Sequence, residues 1–394
     1  MRVLNNRYTK ISLSDWLLII SLVLAPMTGL RIAQIGPAEV LVFFWCIVNH
    51  RYILKLDRIF FYFWMFFTSV IFVGSIIGTL LFPSESNMAG IITWVYFAVI
   101  SLSGCSILKN FSFVRLKRIL KIMAVSSAIW YLFLYIYSIF VSSYFAGAPL
   151  WFEETRFSGG GNNPHQVALL LGCIVVLLFF FVLKEQKKSV RGCYLLILFI
   201  SFFLLLETES STGLMATIVG IVYLIYENFF ALINSGLQLK LIFWIACGCL
   251  GLLFNQYILD AGYQWISSDE NGIGRLEIFS SIGVAFWKSP LFGLGPGIHG
   301  ANGAIEFHNT YLEIIAMGGI IGFFVFLMFT IKIYSRIKNT PLSVAIMLTL
   351  YVFGLAGFGM RRLVFWIFLF TIYIFSQKDL CEKEQNILKE GPAD

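Results

Sequence analysis

Charged residues are scarce in this chain: Asp, Glu, Lys and Arg make up only 12% of its 394 residues, whereas apolar residues make up 59%. An average soluble domain carries charge on roughly a quarter of its residues and uses it to cover its surface. The composition therefore excludes soluble enzymes, coiled coils and disordered scaffolds, and it indicates an integral membrane protein.

The sequence has no cysteine in a predicted outer loop and no metal-ligand pattern. All seven cysteines fall in predicted membrane spans or on the inner side of the membrane, so we expect no structural disulfide. The sequence has no CxxC pair, no nucleotide-binding motif, and no HExxH, GxSxG or DxD motif. We therefore expect no metal and no cofactor, and an enzyme of this kind needs a substrate that arrives already activated.

Long apolar runs fill the chain and predict an all-α polytopic membrane protein, a single transmembrane domain over residues 1–394. A transmembrane barrel is excluded because its strands alternate, whereas these runs are apolar on all sides. The runs predict about twelve spans: 13–30, 35–49, 59–81, 90–107, 119–144, 165–183, 192–206, 212–231, 240–259, 311–331, 341–359 and 362–377. The runs 35–49 and 192–206 are the weakest of these, since an upright span needs about 20 residues.

The distribution of Lys and Arg predicts the orientation of the spans. Of the 28 basic residues, 22 fall in segments that share one side of the membrane, and this excess marks the cytoplasmic side. Both termini are then cytoplasmic, with residues 378–394 as a short tail. The outer side keeps Arg31, Arg156, Arg275, Lys288, Arg361 and Arg362. The net charge of +7 thus reflects topology and gives no reason to expect nucleic acid.

Two predicted periplasmic loops, residues 145–165 and 260–310, collect the polar side chains. They hold three of the four histidines, His165, His299 and His308. Long loops that also carry aromatic and aliphatic residues are usually functional. In the longer loop, apolar residues at helical spacing predict an amphipathic helix over residues 275–287 that Pro290 ends.

The GLGPG turn at 293–297 has two interpretations: its backbone amides bind an anion, or it is a flexible re-entry into the membrane. Without the GK[ST] of a P-loop, the second is favoured.

Thr310 and Glu313 have capping-box spacing, which predicts a helix that enters the membrane from residue 310. His308 precedes it at the water boundary, where an imidazole can accept a proton or simply bond the loop backbone.

The outer arginines are candidates for anion binding. Arg156 and Arg275 could clamp a lipid diphosphate through paired donors, or could extend to headgroups and neighbouring glutamates. Arg361 and Arg362 interrupt the last two spans at the outer face. They either anchor that hairpin or add positive charge to the same cleft.

Four segments, in this order, resemble the bacterial O-antigen ligase and polymerase superfamily. They are RFSGGGNNPHQVALLLG (156–172), ETESSTGLMATIVG (207–220), GRLEIFSSIGVAFWKSPLFGLGPGIH (274–299) and HNTYLEIIAMGGIIGFFVFL (308–327). The resemblance touches most of residues 150–330, and the first five spans match only in hydropathy.

The resemblance implies an inner-membrane glycosyltransferase with a GT-C-like fold that uses an undecaprenyl-diphosphate-linked glycan at the periplasmic face. By this analogy Arg275 and Arg156 hold the diphosphate, and His308, with Arg275 as the second catalytic residue, activates the acceptor hydroxyl or orients it. His165, Arg361 and Arg362 are further candidates for substrate binding. The family also implies a glycan or lipid A-core acceptor, and a chain-length regulator and a flippase as candidate partners.

The acceptor separates two activities within the superfamily. A polymerase transfers the chain to another lipid-linked repeat unit, whereas a ligase transfers it to lipid A-core. The GLGPGIH turn followed by FHNTYLEIIAMGGIIG is more similar to the polymerase branch. A transporter of lipid-linked sugars is the alternative from another class, because twelve spans with both termini inside is also a carrier layout, although no half-repeat is evident.

Overall fold

The computed structural model describes residues 11–32, 35–53, 56–82, 88–232, 282–296 and 307–390. Within these ranges the chain forms twelve α-helices. They are α1 (Leu13–Leu24), α2 (Pro37–Val48), α3 (Arg58–Leu81), α4 (Met88–Leu108), α5 (Phe113–Phe140), α6 (Pro164–Lys184), α7 (Lys188–Glu207), α8 (Ser211–Leu232), α9 (Ile282–Lys288), α10 (Thr310–Ile337), α11 (Pro341–Phe353) and α12 (Leu363–Glu390).

Eight of the described helices are long and apolar enough to cross a membrane: α3, α4, α5, α6, α7, α8, α10 and α12. Helices α1, α2 and α11 are apolar but shorter, with 12 or 13 residues. The protein is therefore an all-α, multi-pass membrane protein, as its composition predicts. The predicted span 240–259 lies outside the described residues.

Several predicted spans differ from the helices in length. The span predicted over 13–30 is helical only to Leu24, because Pro26 interrupts the backbone hydrogen bonds and a 3₁₀ turn follows at Thr28–Leu30. The span predicted over 341–359 ends at Phe353, where three glycines follow within six residues. The short run 192–206 instead belongs to the 20-residue helix α7.

Most of the predicted tail 378–394 is also helical, because α12 continues through Glu390.

Nearer the middle of the chain, two small antiparallel hairpins occupy most of the predicted loop 145–165. Their strands are β1 (Tyr144–Phe145), β2 (Ala148–Pro149), β3 (Trp151–Phe152) and β4 (Arg156–Phe157).

Contacts between helix ends divide the molecule into two opposite ends. At one end, Arg115 pairs with the buried Asp15 at 2.8 Å, and Lys109 pairs with Asp57 at 2.8 Å. This is the basic end, where α1, α3 and α5 begin and α4, α6 and α10 finish. The other is the loop end, which carries the hairpins, Arg31 and the turn at Gly359–Arg361. The two ends match the two sides that the distribution of Lys and Arg predicts.

Helices α6 and α12 form the centre of the bundle. Within the 18-residue apolar stretch of each helix, 83% of the residues are buried in α6 and 78% in α12, against 22% in α7 and 33% in α8. Helix α6 packs against α5, α7, α8 and α11. Because its apolar residues face protein on all sides, α6 fixes where the segment preceding it, residues 156–163, lies at the loop end.

Helix α10 is broken at Gly319, whose φ of 61° and ψ of −162° leave the helical region. Residues 289–296, here called the re-entrant segment, lie against this break. The carbonyls of Ala316 and Met317 accept hydrogen bonds of 2.8 and 2.9 Å from the N–H groups of residues 294–295. Just past the break, two N–H groups of α10 donate back to carbonyls of the re-entrant segment at 2.9 and 3.2 Å. Each backbone thus satisfies polar groups of the other, as a low-dielectric environment requires.

The re-entrant segment approaches its neighbours closely because glycines line the contact. A Cβ atom built on Gly293 or Gly295 would lie 2.4 or 2.3 Å from atoms of α10 or α3. Both residues also have positive φ, which glycine adopts without strain. The contact lies seven residues into α10, about 10 Å below Thr310 at 1.5 Å per residue. The described part of the GLGPG turn, residues 293–296, therefore packs against α3 and α10, which agrees with the favoured interpretation of its sequence as a re-entry; Gly297 lies outside the described residues.

Candidate anion-binding cavity at the loop end

A cavity of about 540 Å³ lies at the loop end, between α2, α4, the start of α6 and the turn before α12. Polar side chains supply one part of its wall: Thr28, Arg31, Glu39, Thr93, Tyr96, Asn162, Asn163, Gln166, Arg361 and Arg362. Three guanidinium groups and one carboxylate are among the described lining residues, which gives a net formal charge of +2. We call this site the arginine cavity.

The link between α1 and α2 brings Arg31 to the cavity. Thr28 Oγ1 accepts from the backbone N–H of Asn162 at 3.1 Å, and Gly29 N–H donates to the carbonyl of Gly160 at 3.0 Å. These bonds hold the 3₁₀ turn at Thr28–Leu30 against the loop that precedes α6. Arg31 follows this turn directly and therefore faces residues 130 positions later in the chain.

Glu39 and Gln166 hold two of the guanidinium groups. Arg31 forms an ion pair with Glu39, whose other carboxylate oxygen accepts from Gly36 N–H at 3.1 Å in the first turn of α2. The amide of Gln166, oriented to satisfy its neighbours, accepts from Arg362 Nη1 at 3.1 Å and donates to Thr28 Oγ1 at 2.7 Å. The arginines are thus pre-positioned by neutral or singly charged partners.

Arg361 and Arg362 are crowded cations. Burial away from water, and to a smaller extent repulsion from neighbouring arginines, lowers the pKa of each guanidinium to about 10. Both remain protonated at neutral pH. The folded protein therefore keeps repelling cations together in a partly buried site, an arrangement that an anionic ligand relieves.

The other side of the cavity is apolar and faces outward from the bundle. Val40 and Phe43 on α2 and Ile92 on α4 line it, with 41%, 47% and 63% of their surfaces exposed. In a membrane-spanning bundle such outward apolar side chains contact lipid. The cavity therefore joins a cationic pocket to the lipid-facing surface between α2 and α4.

Arg156 and His165 form a second cluster at the same end, beside the arginine cavity. Arg156 is 5% exposed and donates from Nε and Nη2 to the carbonyls of Thr208 and Glu209, at 3.3 and 3.4 Å. These carbonyls end α7, where a cation is favoured by the helix dipole. His165 Nδ1 lies 2.6 Å from Ser210 Oγ, the hydroxyl that caps α8 by accepting from Gly213 N–H.

His308 lies just before α10 with a φ of 49°, in the left-handed region that side chains rarely occupy. Its neighbours hold it there. Asn309 caps α10 and donates to the carbonyl of Leu355 at 2.7 Å, while Thr310 Oγ1 donates to the carbonyl of Gly357 at 2.9 Å. His308 is thereby fixed beside the turn that leads into Arg361.

The start of α10 corrects the predicted capping box. Thr310 begins the helix, as predicted, but the N-cap is Asn309, whose side chain accepts from Tyr311 N–H and Leu312 N–H at 2.9 and 3.1 Å. Glu313 reaches past Thr310 to accept from Phe307 N–H at 3.1 Å. The hydroxyl of Thr310 is used instead to bind the 357–359 turn.

The predicted site residues that the structure describes are therefore brought to one end but only partly to one cavity. Arg361 and Arg362 line the arginine cavity, whereas Arg156, His165 and His308 do not belong to the lining that the structure describes. Arg275 and His299 lie outside the described residues. Of the predicted amphipathic helix, 275–287, only residues 282–287 are described, and they lie in α9, which ends at Lys288, two residues before Pro290. The amides of residues 293–295 in the GLGPG turn already donate to protein carbonyls.

Sequence reasoning did not identify seven of the polar lining residues: Thr28, Glu39, Thr93, Tyr96, Asn162, Asn163 and Gln166. Arg31 was recognised only as one of the few cations on the outer side. The available signals were this position of Arg31 and the polar run Asn162–Gln166 at the start of an apolar helix.

A family model described as O-antigen ligase matches residues 196–327, about a third of the chain. The matched region extends from within α7 to within α10 and includes Arg275 and His308, whereas Arg156, His165, Arg361 and Arg362 lie outside it. A search of curated proteins finds no match. The family match supports the ligase and polymerase superfamily that the ordered motifs resemble, without distinguishing its two activities.

Proposed function

We propose that this protein is a glycosyltransferase that takes its glycan from a polyprenyl diphosphate at the loop end. The observation that carries the proposal is the arginine cavity, which joins three guanidinium groups to the lipid-facing surface. The family match at residues 196–327 supports the same class of reaction.

The charge of the cavity suits a diphosphate that is esterified at both ends. Such a group carries two negative charges, and the described lining carries a net formal charge of +2. Guanidinium groups bind phosphate oxygens through paired, charge-assisted hydrogen bonds and stay charged in partly buried sites. Asn162, Asn163 and Thr28 add neutral donors at the rim.

The shape of the cavity suits a lipid-linked donor. The apolar side, formed by Val40, Phe43 and Ile92, lets a polyprenyl chain remain in the bilayer while its diphosphate reaches the arginines. A water-soluble nucleotide sugar has no use for such an opening. We infer that the donor is undecaprenyl-diphosphate-linked glycan, the donor that the family resemblance implies.

The reaction breaks the bond between the anomeric carbon and the diphosphate oxygen, and it forms a bond from that carbon to an acceptor hydroxyl oxygen. The acceptor loses its proton, and the polyprenyl diphosphate leaves with one additional negative charge. Arginines beside the leaving group stabilise this developing charge more than they stabilise the bound donor, which lowers the barrier.

We propose that His308 accepts the proton of the acceptor hydroxyl. Its strained backbone supports this role, because unusual φ values persist where surrounding contacts impose them and are enriched at functional sites. Arg275 belongs to the same proposal as a second catalytic residue, and it lies outside the described residues. For Arg156 and His165, the contacts with residues 208–210 favour a role in positioning the loops around the substrate.

The proposal includes an orientation. The basic end faces the cytoplasm of a bacterial inner membrane with both termini there, and the loop end faces the periplasm. The excess of Lys and Arg at the basic end supports this assignment. The arginine cavity then lies at the level of the outer leaflet, where a flipped lipid-linked glycan is found.

Polymerisation of lipid-linked repeat units into O-antigen or a related surface polysaccharide is the favoured activity, from the sequences of residues 293–299 and 307–322. Ligation to lipid A-core is the second candidate, and the description of the matched family model favours it. The two activities share the donor site and differ in the acceptor. Carriers also contain broken helices such as α10, so the alternative to both activities is transport of the lipid-linked sugar without glycosyl transfer.

A reconstituted assay tests the proposed function. Purified protein is incubated with a polyprenyl-diphosphate glycan and either a lipid-linked repeat unit or lipid A-core, and the products are separated by mass. Extended lipid-linked glycan identifies a polymerase, and glycosylated core identifies a ligase. Arg361→Gln/Arg362→Gln should abolish either product, whereas Lys288→Gln, which removes an exposed cation at the same end, should not. Vesicles that move the donor without forming either product would overturn the proposal in favour of transport.

A further inference from the structure

A second cavity, of about 450 Å³, lies between α3 and α10 toward the basic end. The two helices run antiparallel there, and each contributes residues at the same spacing. The lining face of α3 extends from Arg58 to Phe66, and the lining face of α10 extends from Phe324 to Lys332. Arg58 therefore lies opposite Lys332, at the basic end of the groove, and the walls between these ends are apolar. We call this cavity the basic-end groove.

Packing between the two helices explains the groove. Near the middle of the bundle, Gly318 and Gly322 let α10 approach Val70 of α3, with positions built for their Cβ atoms only 3.5 and 3.6 Å from that side chain. Closer to the basic end, the stacked rings of Phe63 and Phe329 lie between the helices, with centroids 4.0 Å apart. These rings form the floor of a groove that is open on its outer side.

The rims of the groove face outward. Tyr62, Phe66, Phe324 and Met328 have 54%, 53%, 59% and 40% of their surfaces exposed. Between residues 58 and 66 the groove spans about 12 Å along α3 at 1.5 Å per residue. That length covers most of one leaflet, whose hydrocarbon is about 15 Å thick, half of the bilayer core.

The cations at the end of the groove are available to an external anion. Arg58 and Lys332 are exposed, and neither forms an ion pair with any residue that the structure describes. The adjacent carboxylate, Asp57, is already engaged by Lys109 at 2.8 Å and by the Tyr373 hydroxyl at 3.1 Å. Arg58 also occupies the first turn of α3, where the helix dipole favours negative charge.

We propose that the basic-end groove binds an anionic glycerophospholipid of the adjacent leaflet, with one acyl chain along Phe63 and Phe329 and the phosphate between Arg58 and Lys332. Charge complementarity identifies the lipid class, because two basic residues at the membrane boundary attract anionic headgroups. The apolar length identifies an acyl chain.

This lipid site is independent of the arginine cavity, which lies at the opposite end of the bundle. Its failure would leave the proposed glycosyl transfer untouched, and the two sites are tested by different measurements. Binding of the phospholipid requires no acceptor, no donor glycan and no reaction.

Native mass spectrometry of the purified protein tests the proposal directly. The protein is released from micelles that contain equal amounts of phosphatidylglycerol and phosphatidylcholine with chains of distinguishable mass. A basic residue near the membrane surface contributes about 1 kcal/mol to anionic lipid binding, roughly a fivefold preference. We expect phosphatidylglycerol adducts to exceed phosphatidylcholine adducts at least fivefold in the wild-type protein.

Matched variants locate the preference. Arg58→Gln/Lys332→Gln should lower it to near unity, whereas Lys187→Gln/Arg191→Gln removes the same charge from exposed positions on α7 at the same end and should leave it unchanged. Val325→Trp fills the groove without altering charge and should reduce binding of both lipids. Thermal unfolding in neutral detergent establishes that each variant is folded.

Three results would overturn the proposal. Equal binding of the two phospholipids removes the anionic preference. An equal loss in both pairs of charge variants shows general attraction to the basic end instead of a site. Full binding in a folded Val325→Trp protein shows that the acyl chain lies elsewhere.

Discussion

Arg361 and Arg362 lie next to each other in a partly buried cavity, and the folded protein holds both as cations. Their lowered pKa values, about 10, mean that folding disfavours the charged form of each guanidinium. Residues that destabilise their own fold are usually retained for function. At the scale of single residues, the buried arginines therefore lower the free energy of unfolding, and they leave the cavity able to bind an anion.

Arg362→Gln should make the protein more stable and unable to bind the donor. The fall of the Arg362 pKa from the ordinary arginine value to about 10 corresponds to roughly 3 kcal/mol at 1.36 kcal/mol per pKa unit, and partial exposure reduces this to about 1–3 kcal/mol. Thermal unfolding in detergent measures the gain. Lys288→Gln serves as the control and should change the midpoint little.

The pH dependence of this gain follows from the sign of the shift. The penalty is present in full below pH 10, the pKa of Arg362 in the folded state, and it declines as the pH rises toward the higher pKa of an ordinary arginine. The stabilisation by Arg362→Gln should therefore be constant between pH 6 and pH 9. A gain that disappears within that range would show that another titrating group causes it.

His308 allows stability and activity to be separated at one position. Asparagine and glycine both tolerate positive φ better than other residues, so His308→Asn and His308→Gly should fold at least as stably as the wild type. Both lack the imidazole, and loss of a general base lowers the rate by about 10²–10⁴-fold. Thermal unfolding and the transfer assay measure the two effects. A stable His308→Asn protein with full transfer activity would exclude His308 as the base.

Some of the site residues could be predicted from the sequence because each is a polar residue at the end of an apolar run. Arg361 and Arg362 stand out as cations between two outer ends of spans, and His308 stands out before a helix start. Glu39 and Gln166 could not be identified in this way, because their roles depend on contacts with Arg31, Thr28 and Arg362 that are distant in sequence. A single sequence carries no local signal for such contacts.

The break in α10 is the main structural feature at the scale of elements. The re-entrant segment takes the place of the missing helical turn, and its backbone bonds both sides of the break. The break lies within α10, the helix that His308 precedes, and the re-entrant segment that bonds it belongs to the predicted long loop 260–310. The sequence indicated the re-entry, but it did not reveal the break, because Gly318–Gly319 lies within a continuous apolar run that predicts an unbroken helix.

Gly319→Ala should destabilise the protein severely. A Cβ atom at this position would lie 2.3 Å from the backbone of Leu291, and its φ of 61° is strained for alanine. Strain and overpacking together cost about 3 kcal/mol or more. The loss should appear as poor recovery of folded protein in detergent and a lower unfolding midpoint.

Gly322→Ala is the matched control for this prediction. It changes a glycine in the same helix, one turn away, where the added atom meets Val70 at 3.6 Å in ordinary contact. We expect no loss of stability, and about 0.5–1 kcal/mol of gain from the better helix propensity of alanine. Equal behaviour of the two variants would mean that α10 is not held in its broken form.

Helix boundaries were predicted well where hydropathy decides them and less well where backbone chemistry does. The central helix α6 (Pro164–Lys184) matches its predicted run, 165–183, to within one residue at each end. Helices α1 and α11 end six residues before their runs do, because Pro26 and the glycines after Phe353 stop the helix while the chain remains apolar. Hydropathy reports burial in lipid or protein, and it does not report which backbone conformation is buried.

On the scale of the whole molecule, the charged residues at the two ends of the bundle have different arrangements. The basic end carries ion pairs such as Asp15–Arg115, which join neighbouring helices, while the loop end concentrates arginines around a cavity. Charge asymmetry in the sequence predicted this division. It could not predict that Arg31 from the first helical hairpin meets Arg361 and Arg362 from the last, which requires the chain to bring its two ends together.

The position of the diphosphate in a complex tests the central claim most directly. A structure of the full chain with polyprenyl diphosphate should show phosphate density within hydrogen-bonding distance of Arg361 and Arg362, with the polyprenyl chain leaving between α2 and α4. Phosphate density elsewhere at the loop end, with Arg31, Arg361 and Arg362 making no contact to it, would contradict the account.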